Sequence, residues 1–432
     1  MKKVLGLAIL CVVVGLVVAV VCCHGSGRSV PHGSMLARLR ACPLDASGVG
    51  RVLAEPLQGD CRPTDCGTNG PWAGQGNKYR SLHLPGPKGT GASNDHQLHI
   101  VSFRTAGPDR RDLAMDIVDG DHLVGVASNP AAVLTGPDLV DAEIVLSGPK
   151  PGCEHSADPV CQTPQSYYLV IKGYAEKPFW TSCAPGDIDP ACAKLPTMTP
   201  VYAFQVTTGD GGCAVLCEPG ITDRDDDLAG TAVVFRGDVY DDAGKGVKIR
   251  SIDGMAPAEK LNSSESDIFN IACYGTAISK LHFLHHTSAA MTTVSSKPNV
   301  AERQAILQLL TGDYCGNGDL HTVNGLPLRL DYNHPPHQPA FANVGLNGAQ
   351  SIDALWSADG TGAVCIGTPR LTDVEAARLP GGDRKAIEQS LVDKITAGCD
   401  RAIPRCTAAQ RADALNRVFA GYAISANSFA AP

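Results

Sequence analysis

The sequence predicts an α+β protein: an antiparallel β domain, then a disulfide-braced mixed α/β domain, then a C-terminal helix hairpin. Three observations carry this. Short β-type runs separated by turn residues fill residues 98–252. Capped helical patterns appear only later, and strands followed by helices is the order expected of an α+β chain. Fourteen cysteines lie beyond residue 23, an even number that suits a disulfide framework in an oxidising compartment. The chain of 432 residues is 44% hydrophobic and 19% charged, a globular balance with length for several domains. Gly (46) and Pro (30) are plentiful while aromatics are only 5%, which fits turn-rich β-structure.

The expected divisions are 1–23, a membrane anchor or signal; 24–97, a stalk with a loosely structured cap; 98–252, the β domain; 253–370, the central mixed domain; and 371–432, the helical hairpin. Lys2 and Lys3 precede an uncharged apolar run over 4–23. Twenty helical residues span about 30 Å, one bilayer core. A cleaved signal has a shorter apolar region and an Ala-x-Ala-like site, whereas Val20, Val21, Cys22 and Cys23 end this run. Retained anchor, cleaved signal and lipidated Cys22 or Cys23 all stay open, and each exports the remainder of the chain. The positive end stays inside, so the membrane is the expected partner of the first segment. The bulk of the chain is expected in the periplasm or cell envelope. The net charge of -8, with Lys2-Lys3 and Arg110-Arg111 as the basic pairs, argues against nucleic acid.

Within the stalk, Gly25-Ser26-Gly27 and the Pro/Gly stretch 85–91 read as linker, with a short helix expected near 35–39. Cys42, Cys61 and Cys66 are expected to tether the segment. Trp72 and Tyr79 read as packing side chains. Strand-like runs follow at 98–103, 113–118, 122–126, 139–146, 167–174, 201–207, 231–240 and 247–252. Asp119-Gly120-Asp121 reads as a hairpin turn because Asp and Gly tolerate positive φ. Tyr168, Val170 and Lys172 alternate with Leu169, Ile171 and Gly173, giving that strand two faces. A sandwich or open barrel is expected. Loops at 149–164 and 178–199 each carry a close cysteine pair.

Those pairs are Cys153 with Cys161 and Cys183 with Cys192; Cys61/Cys66, Cys213/Cys217 and Cys399/Cys406 are similarly near. Short loops stabilise least, by about 2–3 kcal/mol each. No Cys-x-x-Cys pair favours zinc. Pairing itself is not readable from spacing.

The densest motif region runs through Phe269-Asn270-Ile271-Ala272-Cys273, Ala277-Ile278-Ser279-Lys280, a helix, Gly312-Asp313-Tyr314-Cys315-Gly316-Asn317-Gly318 and Val323-Asn324-Gly325. With Val215-Leu216-Cys217 and Ala229-Gly230 upstream, this ordered series resembles the ADYC-domain family, exported bacterial proteins named for an Ala-Asp-Tyr-Cys motif. The resemblance covers about 119–370 and departs in three places. Gly312 replaces the motif's Ala, and Leu281 and Ile306 stand where cysteines are expected. The resemblance implies a fold and an export route, and transfers no catalytic residue.

Asn299 with Glu302 has capping-box spacing. Ile306, Leu307, Leu309 and Leu310 give an apolar face, and Gly312 ends the helix. Asp313, Tyr314 and Cys315 then enter a tight turn, and a Cys273–Cys315 bond is expected to pin the helix to the strand at 269–274. Cys315 as a nucleophile would need His321 or His334 beside it, and leaving a helix C-terminus opposes a thiolate. His282, His285 and His286, with His334 and His337, form a weak metal pattern and read rather as surface histidines. Asp223, Asp225 and Asp227 alternate like a calcium loop, but Leu228 and Val234 stand at the Gly and Glu positions; a solvated acidic turn is the simpler reading. No cofactor or metal is expected.

Beyond a short strand at 326–330 come a Pro/His loop, the run Ile352-Asp353-Ala354-Leu355-Trp356 and an Asp359-Gly360 turn before Cys365, and the tail after these is helical. Asp383 opens a segment with Ile387, Leu391 and Ile395, and Gly398 closes it. Thr407 with Gln410 caps another with Leu415, Val418 and Phe419. Cys399 and Cys406 are expected to staple the two. The function expected is a membrane-tethered envelope module that binds or scaffolds an unidentified ligand or protein; an envelope hydrolase with a site near Cys315 and neighbouring histidines is the alternative.

Overall fold

The computed structural model describes residues 76–85, 92–106, 110–128, 130–150, 153, 156–158, 161, 163–179, 198–209, 211–217, 230–241, 247–250, 267–287, 299–322, 328–332, 351–357, 359–415 and 424–428. The readings placed on 4–23, Met35 to Leu39, Cys42, Cys61, Cys66, Trp72, Cys183, Cys192, Asp223, Asp225, Asp227, His334, His337, Val418 and Phe419 lie outside these residues.

The strands are β1 (Leu82–His83), β2 (His99–Arg104), β3 (Asp112–Val118), β4 (His122–Ser128), β5 (Ala131–Thr135), β6 (Glu143–Gly148), β7 (Gln165–Pro178), β8 (Met198–Thr208), β9 (Cys213–Val215), β10 (Thr231–Arg236), β11 (Val239–Asp241), β12 (Lys248–Arg250), β13 (Ile268–Cys273), β14 (Leu328–Tyr332), β15 (Ser351–Trp356), β16 (Ala363–Ile366) and β17 (Ile424–Ser428). The helices are α1 (Ala277–Phe283), α2 (Val300–Thr311), α3 (Thr372–Arg378), α4 (Arg384–Ala397) and α5 (Ala408–Leu415). The fold is α+β with antiparallel strand pairing throughout the named sheets.

Eleven strands form one sheet in the order β1-β13-β10-β8-β7-β6-β2-β3-β4-β5, with β9 added beside β8. The β3–β4 turn forms as Asp119-Gly120-Asp121 suggests. Asp119 and Gly120 take φ of 52° and 92°, and Val118 pairs with His122. The sheet curls until this turn reaches β10 and β8: the Arg236 N–H donates to the Gly120 carbonyl at 2.8 Å, and the Leu123 N–H to the Tyr202 hydroxyl at 3.1 Å. Phe103, Ile117, Leu123, Leu169, Phe204, Val234, Phe269 and Ile271 fill the inside of the curl. Tyr79 packs there too.

The boundary expected at 252 does not divide this sheet. β13 pairs with β10 on one side, Val234 opposite Ile271, and with β1 on the other. All six β13 residues are buried, as a central strand covered on both faces requires. Its inner face joins the curl, and its outer face, through Ala272, joins a second core built with α1, α2 and α4. A pairing between 231–236 and 268–273 is set by packing and is invisible to local pattern.

The second core also receives Ala354, Trp356, Ala363 and Ile366 from a four-stranded sheet ordered β14-β17-β15-β16. β17 is a strand that sequence reading missed. The stapled C-terminal hairpin is corrected as well. Cys399 bonds Cys315 and Cys406 bonds Cys365, so both cysteines tie the tail to the central region rather than to each other. α4 packs against α3 instead, and α5 touches β15.

Candidate functional site

The Asp-Tyr-Cys turn sits at the end of α2. That helix starts with a complete capping box, Asn299 accepting from the Glu302 N–H at 2.9 Å and Glu302 accepting from the Asn299 N–H at 2.8 Å. It ends on Gly312 at φ 69°, the left-handed conformation that glycine adopts without penalty. A Cβ there would lie 2.7 Å from the His321 carbonyl oxygen, so glycine in place of the motif's alanine is matched to its surroundings.

Asp313 closes the turn. Its carboxylate accepts from the Asn317 and Gly318 N–H groups at 3.1 and 3.0 Å. Burial pushes its pKa up to about 6 despite these bonds. Burial prevails because the opposing groups are backbone amides, whose partial charges offset desolvation only in part.

Tyr314 is fully buried. Its ring stacks on Trp356 with centroids 5.4 Å apart, and its hydroxyl donates to Asp353. Asp353 is itself the anion of a buried pair: Arg370 reaches its Oδ2 through Nε at 2.9 Å and Nη2 at 2.7 Å, and its Oδ1 through the backbone N–H at 2.9 Å. Both side chains are 0% exposed. Four donors on one carboxylate supply the compensation that a buried charge needs. Arg370 also lies over the Tyr314 ring, 5.8 Å from its centroid, and reaches the Leu310 carbonyl on α2.

Cys315 bonds Cys399, and Cys273 bonds Cys217. These bonds correct the expected Cys273–Cys315 pairing. Cys273 faces the inside of the curled sheet while Cys315 belongs to the second core, and the two cores are separated by the sheet itself. The near pair Cys213/Cys217 is also replaced, since Cys217 reaches across to Cys273; Cys213 is disulfide-bonded too. Cys153 and Cys161 are bonded to each other. Being bonded, Cys315 carries no thiol for nucleophilic chemistry. His321 lies beside Tyr314 at 5.9 Å between ring centroids, and burial pushes its pKa down.

The other motif strand has its own latch. Asn270 accepts from the Ser81 N–H at 2.7 Å and donates to the Gly237 and Asp238 carbonyls at 2.8 and 3.0 Å. One fully buried amide so joins β13 to the segments beside it. Asp238 in turn pairs with Arg303 of α2 at 2.7 Å.

The histidines on and after α1 are not on the surface. His282, His285 and His286 are at most 1% exposed, which corrects the surface reading. Helical spacing alone did not reveal which face of so short a helix is covered. His282 stacks on Phe235 at 4.9 Å, and its Nε2 lies 3.3 Å from Asp121 Oδ2 and 3.1 Å from Thr199 Oγ1. Its Nδ1 lies 2.9 Å from Thr287 Oγ1. Asp121 also holds His122 Nδ1 at 2.7 Å. Burial raises the Asp121 pKa, but the bonds to His122 and His282 outweigh it and leave the carboxyl at about 2. The bond with Asp121 raises His122 in turn. Among the described residues, no group of three or more His, Cys, Asp or Glu is arranged to hold a metal ion.

A curled antiparallel sheet backed by helices, with four disulfides among the described residues, defines a disulfide-braced α+β protein, and such bonds suit an oxidising environment. The ADYC domain model matches residues 138–372, more than half of the sequence, and the chain belongs to the ADYC domain family. Neither a search of curated proteins nor one of solved structures gives a match. The matched span contains Asp313, Tyr314, Cys315, Asp353 and Arg370, but stops short of Cys399. Leu281 and Ile306, at the two positions where cysteines were expected, are both buried in the second core.

Proposed function

We propose that this protein is a cell-envelope module, exported and held at the membrane by its N-terminal segment, that binds or scaffolds a partner rather than catalysing a reaction. One observation supports this most: every side chain of the signature motif is committed to holding the fold. Asp313 closes a turn, Tyr314 completes the Asp353–Arg370 pair, and Cys315 is bonded to Cys399. A motif committed this way specifies a rigid platform, and the disulfides suit a location outside the cytoplasm. No helix among the described residues is long and apolar enough to cross a membrane; the apolar run at 4–23 lies outside them.

Cell fractionation with protease accessibility on spheroplasts tests the location. The full chain should sediment with membranes, resist carbonate extraction and be digested from outside, with Cys315 protected from alkylation until reduced. Recovery in the cytosol with an alkylatable Cys315 sinks the reading.

A further inference from the structure

The two ends of the large sheet are finished differently. At one end stands β1, two residues long and latched by Ser81 to Asn270 and Tyr240. At the other end stands β5, Ala131–Thr135, which has β4 on one side and no strand on the other among the described residues. Exposed edges are commonly guarded by charge, proline or a bulge within the strand, because unpaired N–H and C=O groups accept another strand. β5 has none of these guards. It pairs with β4 in continuous register from Val124↔Thr135 to Ser128↔Ala131. From Leu123 to Pro137 there is no charged residue, in a chain that is 19% charged. Both faces of the strand are uncharged, and apolar but for Thr135 at its end. Ala132 and Leu134 pack on the core inside the curl. Val133, 63% exposed, lies outside beside its register partner Val126, which is 38% exposed and pairs with exposed Ala114.

We infer that β5 is a dimerisation edge, pairing antiparallel with β5 of a second copy of this chain so that the two sheets run on as one. The register that pairs all five residues sets Ala131 opposite Thr135, Ala132 opposite Leu134 and Val133 opposite its own copy. That arrangement is isologous and closed, as a two-fold dimer requires. It places Leu134 of each copy on the core side of the other's Ala132, and it extends the outer row Ala114–Val126–Val133 across the dyad. Electrostatics selects the same place. Each copy carries a formal charge of -8, so two copies repel over most approaches, and the uncharged hairpin is where contact is least opposed. Neither membrane attachment nor the binding role proposed above is needed for this pairing.

The test is light scattering on the purified full chain in detergent, with the micelle mass subtracted. Wild type at micromolar concentration should give twice the chain mass. Val133→Lys sets two like charges face to face at the dyad and should halve the mass. Val133→Thr, uncharged and β-branched, should keep the dimer, as should Val101→Lys, an exposed valine of β2 away from the edge. Far-UV circular dichroism of Val133→Lys should match wild type, since the residue is exposed. A benzophenone side chain at 133 should crosslink one chain to another copy. A wild-type monomer, a dimer that survives Val133→Lys, or crosslinks from 133 only to a different protein would each overturn the inference.

Discussion

Replacing Arg370 with leucine leaves the Asp353 carboxylate at 0% exposure with two of its four donors removed, the Nε and Nη2 contacts at 2.9 and 2.7 Å. The Tyr314 hydroxyl and one backbone N–H remain. Breaking a buried pair from one side costs about 3–5 kcal/mol because the remaining charge is uncompensated. Against a usual total of about 5–15 kcal/mol, that is a large fraction of the fold's stability. Tyr314→Phe removes one bond to a charged acceptor and should cost about 1.5–3 kcal/mol. The double change Arg370→Leu with Asp353→Leu removes both charges, and should be less damaging than Arg370→Leu alone. Urea unfolding of the oxidised protein, followed by Trp fluorescence and run on these three variants and on Asp353→Leu alone, gives all four values. Arg370→Leu costing under about 1 kcal/mol, or the double variant costing the sum of its two single changes, would refute the view that this pair is a desolvated, mutually dependent unit.

Removing the Cys315–Cys399 bond with paired serines opens a sequence separation of 84 and should cost about 4–5 kcal/mol, against about 2–3 kcal/mol for Cys153–Cys161 with its separation of 8; thermal melts of both variants check the ranking. Asp313 holds a proton more tightly folded than unfolded, so its contribution to stability should fall as pH rises from the ordinary carboxyl value of 3.8 to about 6. At about 1.4 kcal/mol per pH unit this amounts to about 3 kcal/mol, and Asp313→Asn should flatten the slope in that window; an unchanged slope counts against the shift. Asp121→Asn should bring the His122 titration, followed by NMR, down toward the ordinary imidazole range, because the bond from Asp121 is the main cause of its rise. Gly312→Ala should lose about 1–2 kcal/mol, the left-handed penalty for a residue with a Cβ, with further loss from the His321 carbonyl 2.7 Å away; the same urea titration measures it.

Local structure was legible where local chemistry decides it. Alternation marks the strands, Asp119-Gly120 marks the hairpin, and Asn299 with Glu302 marks the start of α2, because each depends on residues a few positions apart. The long-range pairings were not legible. Cys217 and Cys273 stand 56 positions apart and meet only because β13 slots beside β10, so near neighbours in sequence offered the wrong partners. Asp353, Arg370 and Asp121 carry no signature, since an ion pair looks in sequence like two ordinary charges. His282 reads as polar and exposed, yet an imidazole stacked on Phe235 and bonded to Asp121 is at home in a core. Of the motif itself, a turn at a helix end was visible, whereas the ion pair it completes could be found only in three dimensions.

The position of β17 constrains how the chain matures. It comes after the other strands in sequence, yet it stands between β14 and β15, pairing Leu328 with Ser428 on one side and Trp356 with Ile424 on the other. A polypeptide synthesised amino end first therefore presents β14 and β15 with a slot between them until residues 424–428 arrive. During that interval the two strands have unsatisfied edges, and loop closure over roughly 90 residues, from Tyr332 to Ile424, must precede their pairing. Meanwhile Cys315, Cys365, Cys399 and Cys406 have all already emerged, so oxidation can lock the bonds around the slot before its central strand is seated. The order of these two events, bond formation and strand insertion, sets whether a newly made chain reaches its finished sheet or waits with an open seam.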